Sequence, residues 1–437
     1  MMRYKSILEL LSSQDSSSIA FRYVNQGKIE ELTYGELIDK IIDYPLPKEN
    51  VIGILADINI ESIITIFSLI GKKQIVLLNP SDDINVLNRQ IKITNVAKIL
   101  GEEELIEELD KDFDVDLSID SKDVLFFTSG TTSSSKAVIL DEARLCNATY
   151  NGGYYLSLNK DDVLFESGLP LSHVFGFVCA LLWPLSFGAT VALPRSLTTI
   201  FEDINILKPT AATLVPQLAV FLASKNLFNP ELKLVLIGAG DCPINVLNLI
   251  KSKGIRVSFG YGLTESSSGI ALSIGDKPKE MSICPDYQIQ IGEDGEIIAI
   301  SDTTLMKGYY KDNKSTNEVL KGNKLYTGDL GKIIDNKLII TGRKKDILVC
   351  LDGTKIFLPE YEAKLATYLK GEMDYTVLQD DENKITLYIY TNNKIEDEVD
   401  AFNMNYPRGN RIARIIYAKE KLPRTKTNKV QKYMIKF

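Results

Sequence analysis

Short apolar runs separated by helical patterns restrict what this chain can become more than any other feature of it. Residues 51–56, 75–78 and 97–100 read as strands, and the pattern over 60–70 reads as a helix between them. Runs that are apolar without alternation belong in sheets buried on both faces, and the intervening helices are what covers those faces. The rhythm returns at 189–193, 211–215, 232–237 and 255–259, so the expected class is α/β with two layered sheets. At 437 residues and 45% hydrophobic composition, the chain can fill cores of that size in two or three domains.

Beyond about residue 285 the texture changes. Short strands at 287–291, 296–300, 332–334 and 337–341 are separated by turn signals such as Glu293-Asp294-Gly295 and Asp335-Asn336, which predicts a small β-rich subdomain over about 285–341. The charged run Gly342-Arg343-Lys344-Lys345-Asp346 then stands between two apolar strands, as a solvated turn or as an interdomain hinge. Helices at 359–369 and 395–404 and strands at 384–390 and 412–417 follow. The expected division is therefore 1–341, a hinge at 342–346, and a smaller α+β domain at 347–437.

The net charge of −8 gives no electrostatic reason to expect nucleic acid as a partner. Five scattered cysteines without a C-x-x-C pair point to reduced thiols and to neither a disulfide framework nor a zinc site, and a cytosolic location is the expectation. The longest apolar stretch, 174–193, is cut by Pro184, Ser186 and Gly188 into a helix and a short strand, so no transmembrane segment is expected.

Within this frame, Phe126-Phe127-Thr128-Ser129-Gly130-Thr131-Thr132-Ser133-Ser134-Ser135-Lys136 reads as a strand entering a hydroxyl-rich loop, with a second strand at 137–140. Backbone N–H groups, hydroxyls and one ammonium suit a polyanion such as a triphosphate, and Gly130 allows close approach; an ordinary surface turn is the alternative. A nucleoside-triphosphatase P-loop would need glycine before the lysine and Ser/Thr after it, where Ser135 and Ala137 stand.

Other stretches carry chemistry of their own. The only histidine, His173, lies in Leu169-Pro170-Leu171-Ser172-His173-Val174-Phe175-Gly176, so a histidine metal cluster is excluded. Gly238-Ala239-Gly240 follows a strand and could admit a flat ring, but Pro243 replaces the third glycine of a dinucleotide fingerprint. Gly260-Tyr261-Gly262-Leu263-Thr264-Glu265 gathers an aromatic face, a hydroxyl and a carboxylate at a strand end, where open α/β sheets bind ligands. Tyr326-Thr327-Gly328-Asp329 and Pro423-Arg424-Thr425-Lys426-Thr427-Asn428-Lys429 complete the set.

In this order, from Thr33-Tyr34-Gly35-Glu36-Leu37 to Lys429, the motifs resemble those of the acyl-adenylate-forming superfamily, which comprises acyl-CoA synthetases, peptide-synthetase adenylation domains and luciferases. Two departures stand out: Ser133-Ser134-Ser135 replaces the usual Gly-x-Pro before the lysine, and Asn428 replaces a glycine. The resemblance implies a large AMP-binding domain and a mobile C-terminal domain. It implies that Thr128, Ser129, Gly130, Thr131, Thr132 and Lys136 hold the ATP phosphates, and that Gly238, Ala239, Gly240, Tyr261 and Gly262 receive adenine. Thr264 would contact the α-phosphate region, and Glu265 would hold Mg²⁺, a hard cation suited to oxygen. Asp329 would bind the ribose and Arg343 would join it at the ribose or phosphate, His173 would line the carboxylate pocket, Lys345 would be the pivot, Gly353 would leave room for pantetheine and Lys429 would be the catalytic lysine.

The activity so implied is an ATP-dependent acid–CoA ligase: a carboxylate attacks the α-phosphorus of MgATP, pyrophosphate leaves, and the thiol of coenzyme A displaces AMP. A carboxylate is ionised at neutral pH, its pKa being about 4, so the first step requires no general base. Pocket segments 173–180, 211–218 and 266–270 are apolar or small, which favours a fatty or aryl acid. Two alternatives stay open: an acyl-AMP ligase loading an acyl carrier protein, and a nucleotide-binding protein without catalysis.

Overall fold

The computed structural model describes residues 2–110, 121–128, 135–196, 198–240, 242–274, 277, 279–350, 354–371, 373–380, 384–424, 430 and 432–435. A six-stranded sheet is built on Val51–Leu55 and Gln74–Leu78, paired in parallel, with every residue of both strands buried. Lys98–Leu100 and Val124–Phe127 flank them in parallel. Ala137–Leu140 returns antiparallel to Val124–Phe127, and Gly308–Tyr309 closes that edge.

A second, 14-stranded sheet has a parallel centre of Thr190–Leu193, Val163–Glu166, Ala211–Leu214, Leu234–Ile237 and Arg256–Leu263. Its helices start and stop where the sequence places caps: Pro216 opens Pro216–Lys225, and Asn226 ends it in the left-handed conformation. Antiparallel strands Ser268–Leu272, Met281–Ile283, Lys337–Arg343, Lys324–Ile334, Glu296–Ile300 and Gln288–Ile291 continue the same sheet, so the β-rich stretch is hydrogen-bonded to the α/β part. The other edge carries a hairpin, Ile19–Asn25 with Lys28–Thr33, that has no counterpart in the sequence reading. The first four residues of its outer strand are exposed, and the charges among them hide any strand period.

One hydrophobic core joins residues of both sheets, including Ile52, Phe126, Leu164 and Leu236, around the helices Glu142–Tyr155 and Phe175–Leu182. A separate core, from Leu348 to Ile412, packs Leu358–Ala366 and Glu396–Asn403 on the three-stranded sheet of Asp374–Gln379, Ile385–Tyr390 and Arg414–Tyr417. Among the described residues no helix is long and apolar enough to cross a membrane.

Two boundaries differ from expectation and both concern the site. Strand Arg256–Leu263 runs through Gly260, Tyr261 and Gly262, and the turn begins only at Thr264. Strands Lys324–Ile334 and Lys337–Arg343 are long enough to include Asp329 and Arg343, which become register partners. In both cases ladder hydrogen bonds override the glycines, whose local preference is for turns.

Candidate active site

The stem of the hydroxyl-rich loop is cross-bonded. Thr128 N–H donates to Lys136 O at 3.0 Å, Lys136 N–H donates to Thr128 Oγ1 at 3.3 Å, and Ser135 Oγ donates to Thr128 O at 2.6 Å. Ser129, Gly130, Thr131 and Thr132 lie outside the described residues. The stem fixes where Lys136 emerges, and its Nζ stands 4.8 Å from the centre of the Tyr309 ring. Tyr309 is carried beside it by pairing with Val138, and its hydroxyl donates to Glu265 Oε1 at 2.7 Å. Burial first, and the Glu265 carboxylate second, push the Tyr309 hydroxyl well above the ordinary tyrosine range, so it stays protonated and donates. One aromatic side chain thus links the ammonium of Lys136 to the carboxylate of Glu265.

Four residues before Glu265 in the same segment, the Tyr261 hydroxyl donates to Asp329 Oδ2 at 2.9 Å. Arg343 Nε meets Asp329 Oδ1 at 2.7 Å across the hairpin. Asp329 is buried, and desolvation raises its pKa against the opposing pull of Arg343 and Tyr261. Thr327 Oγ1 receives the Asp329 N–H at 3.1 Å and holds the turn. Gly262 has no freedom to be anything else, because a Cβ there would lie 1.7 Å from Ser268 O. Left-handed backbone at three non-glycine positions, Ala239 (φ +63°), Ser267 (φ +53°) and Ser268 (φ +109°), borders these groups, and such strain concentrates at functional sites.

His173 precedes the π-helical stretch Phe175–Leu182, a rare winding that recurs at functional sites. Its Nδ1 accepts the Phe175 N–H at 3.2 Å, and burial lowers its pKa, so the ring is neutral with the proton on Nε2. The Phe175 ring covers Gly238, where a Cβ would meet it at 2.8 Å. Ahead of His173, the fully buried Glu166 caps the loop: its Oε2 accepts Gly168 N–H at 2.9 Å and its Oε1 accepts Leu169 N–H at 2.6 Å. Burial outweighs those bonds and raises the Glu166 pKa to about 8.

The structure therefore brings together Lys136 and Glu265, and separately Tyr261, Asp329 and Arg343, with the segment Tyr261 to Glu265 joining the two sets. Gly240 and Ala239 are exposed at the end of strand Leu234–Ile237. Thr264 is buried beside Glu265. Lys345 is exposed in the short turn Lys344–Asp346 after Arg343. Lys429 and Gly353 lie outside the described residues. Tyr309 and Glu166 are absent from the sequence reading, and Thr327 stands in it only as part of the motif Tyr326-Thr327-Gly328-Asp329, without a role of its own. For Tyr309 no local signal exists, since only pairing with a strand far away in the chain places it. Glu166 carried one, a lone acid in an apolar run.

Residues 38–310 match the family described as AMP-binding enzyme. A 2-succinylbenzoate–CoA ligase of Bacillus pumilus is 26% identical over 356 residues, covering 76% of this chain and 72% of the relative. The 3-[(3aS,4S,7aS)-7a-methyl-1,5-dioxo-octahydro-1H-inden-4-yl]propanoyl:CoA ligase of Rhodococcus jostii is 26% identical over 342 residues, 72% of this chain and 65% of its own. Among solved structures, O-succinylbenzoate coenzyme A synthetase of Bacillus subtilis in complex with AMP superposes with a TM-score of 0.79 at 20% identity, covering 100% of this chain and 99% of the other. The anthranilate CoA ligase AuaEII in complex with anthranoyl-AMP gives 0.78 at 16% identity, over 99% and 97% of the two chains. These superpositions establish a shared fold.

Proposed function

Because the chain belongs to the AMP-binding enzyme family, which matches residues 38–310, we propose that it is an ATP-dependent carboxylic acid–CoA ligase. The observation that carries this reading is the convergence of Lys136 and Glu265 on Tyr309. An ammonium and a carboxylate that far apart in sequence, held on one ring, suit the two demands of MgATP, a cation for the phosphates and an oxygen ligand for the metal. Among the described residues no group of three metal-binding side chains exists. That fits magnesium, which arrives on the nucleotide, keeps several waters and takes one or two carboxylates.

In the first step an oxygen of the acid attacks the α-phosphorus, and the bond to the bridging oxygen breaks with pyrophosphate leaving. Lys136 neutralises charge on the departing phosphates, and Glu265 fixes the magnesium of the substrate complex with its orientation set by Tyr309. Asp329, with Arg343 and Tyr261 around it, takes the ribose. Neutral His173 lines the place of the carboxylate, which is already ionised and requires no base. In the second step the thiol of coenzyme A attacks the acyl carbon, and the bond to AMP breaks. Lys429 is assigned to the first step, bridging acyl and phosphoryl oxygens, and Gly353 to the pantetheine channel in the second, with rotation at Lys345 between them. The division at 342–346 belongs to the same proposal and is supported by the separate core of Leu348 to Ile412.

The relatives named for 2-succinylbenzoate and anthranilate support an aryl acid over a fatty acid here. The close approach of the Phe175 ring to Gly238 points the same way, toward a compact slot. A cytosolic location is part of the reading, supported by five free cysteines. The test is ATP–pyrophosphate exchange with a panel of carboxylic acids, followed by addition of coenzyme A or a phosphopantetheinylated carrier protein. Acid-dependent exchange and an acyl-CoA product are expected. Exchange with no acid would leave only nucleotide binding, and transfer to the carrier alone would make the enzyme an acyl-AMP ligase.

A further inference from the structure

One row of side chains crosses four parallel strands of the large sheet: Glu166, Thr213, Leu236 and Ser258, each in register with the next. Gly238 fixes which way the row faces. Its N–H bonds to Leu214 O at 3.2 Å and so continues the ladder of its strand by two residues beyond Leu236. Residues two apart on a strand point to the same side. A Cβ on Gly238 would run into the Phe175 ring, so the row lies beneath the helix that begins after His173. On the same helix Cys179 Sγ lies 3.2 Å from Ser268 Oγ on the next strand. The space between row and helix is the slot the ligase reading gives to the organic part of the acid, and the inference rests on that reading.

Three of the four members are polar and none reaches solvent: Glu166 and Thr213 are 0% exposed and Ser258 is 1% exposed. Thr213 Oγ1 and Ser258 Oγ have no hydrogen-bond partner among the described residues. Buried hydroxyls almost always find one, and each that does not is a standing cost to the fold. The neighbours do not supply it in this structure. Glu166 directs its two oxygens to Gly168 and Leu169, and the Thr213 carbonyl already accepts the Ser167 hydroxyl. A core threonine or serine with no other duty would be replaceable by valine or alanine at a gain.

We propose that Thr213 and Ser258 are specificity residues that hydrogen-bond a neutral oxygen at the far end of the acid, so that the substrate is an aryl or oxo acid bearing a keto, ether or hydroxyl group. The oxygen is taken as neutral because, among the described residues, only burial and two backbone N–H groups set the Glu166 proton, with no lysine or arginine among the causes. A second carboxylate would lie there without a counter-charge.

The test uses matched pairs that differ by the oxygen: para-acetylbenzoate against para-ethylbenzoate, meta-hydroxybenzoate against meta-methylbenzoate, and benzoylpropanoate against phenylbutanoate. For each pair the ratio of kcat/KM in ATP–pyrophosphate exchange is measured in the wild type, in Thr213→Val and in Ser258→Ala, with thermal midpoints recorded to show that the variants fold. At least one oxygenated acid is expected to exceed its twin by about 10- to 100-fold, the range set by one satisfied against one orphaned buried hydroxyl. Each substitution is expected to shrink that ratio, and the double variant to bring it close to one. Twins used equally well by the wild type, as when the hydroxyls hold a buried water, overturn the proposal, and so does a ratio that survives both substitutions. Absence of exchange with every acid refutes the ligase reading itself, whereas exchange without discrimination leaves that reading standing and removes this one.

Discussion

Replacing Tyr309 by phenylalanine removes one oxygen and leaves the ring on which Lys136 stands. The lost hydroxyl donates to Glu265 Oε1 at 2.7 Å from a residue only 7% exposed. A buried hydrogen bond to a charged group contributes about 1.5–3 kcal/mol, which corresponds to roughly 10- to 100-fold in an equilibrium constant. Loss of a partner that orients a metal-binding carboxylate costs metal affinity by a similar factor, about 10- to 100-fold. The assay is acid-dependent ATP–pyrophosphate exchange at fixed ATP and varied free Mg²⁺. Tyr309→Phe should need at least about 10-fold more Mg²⁺ for half-maximal exchange, with the KM for the acid unchanged. The cation–π contact of Lys136 is retained in this variant, so a phosphate-binding defect cannot mimic the result. Wild-type Mg²⁺ dependence in Tyr309→Phe would refute the argument that Tyr309 sets Glu265 for the metal.

Glu166, whose pKa rises from 4.5 to about 8, binds its proton more tightly in the folded chain than in the unfolded one. Its contribution to stability is complete below pH 4.5 and is lost as pH rises through about 8, at up to about 1.4 kcal/mol per pH unit; chemical denaturation from pH 5 to 9 should show this slope flattened in Glu166→Gln, and an unchanged slope would contradict the shift. Gly262→Ala forces a methyl to 1.7 Å from Ser268 O and should destabilise by about 3 kcal/mol or more, read from denaturant midpoints, with a change under about 1 kcal/mol refuting the packing. Lys345→Pro fixes φ at the proposed pivot, so exchange should survive while acyl-CoA formation stops, and normal overall turnover would remove the pivot from Lys345.

The parallel strands were legible because burial on both faces demands uninterrupted apolar runs, and 51–55, 75–78 and 234–237 comply. What escaped was whatever depends on pairing. Asp329 and Arg343 read as two separate motifs, yet they are opposite residues of one hairpin, and the mixed burial of Lys324–Ile334 gives no clean period to announce the strand. Lys136 and Glu265 could be named from their motifs, but Tyr309 could not, since the edge strand that carries it is two residues long. Likewise Thr213 and Ser258 look in sequence like ordinary strand residues. Only the register places them in one row with Glu166 and turns a slot expected to be apolar into one with hydroxyls to satisfy.

The most direct measurement is of which phosphorus is attacked. The enzyme is incubated with MgATP and an accepted acid but no thiol, and the products are separated and weighed by mass spectrometry. Lys136 and Glu265 acting on one nucleotide beside a carboxylate slot predict an acyl-adenylate, equal to acid plus AMP less water, together with pyrophosphate, and no turnover of ATP when the acid is left out. Release of ADP and phosphate, or hydrolysis of ATP indifferent to the acid, would contradict the account.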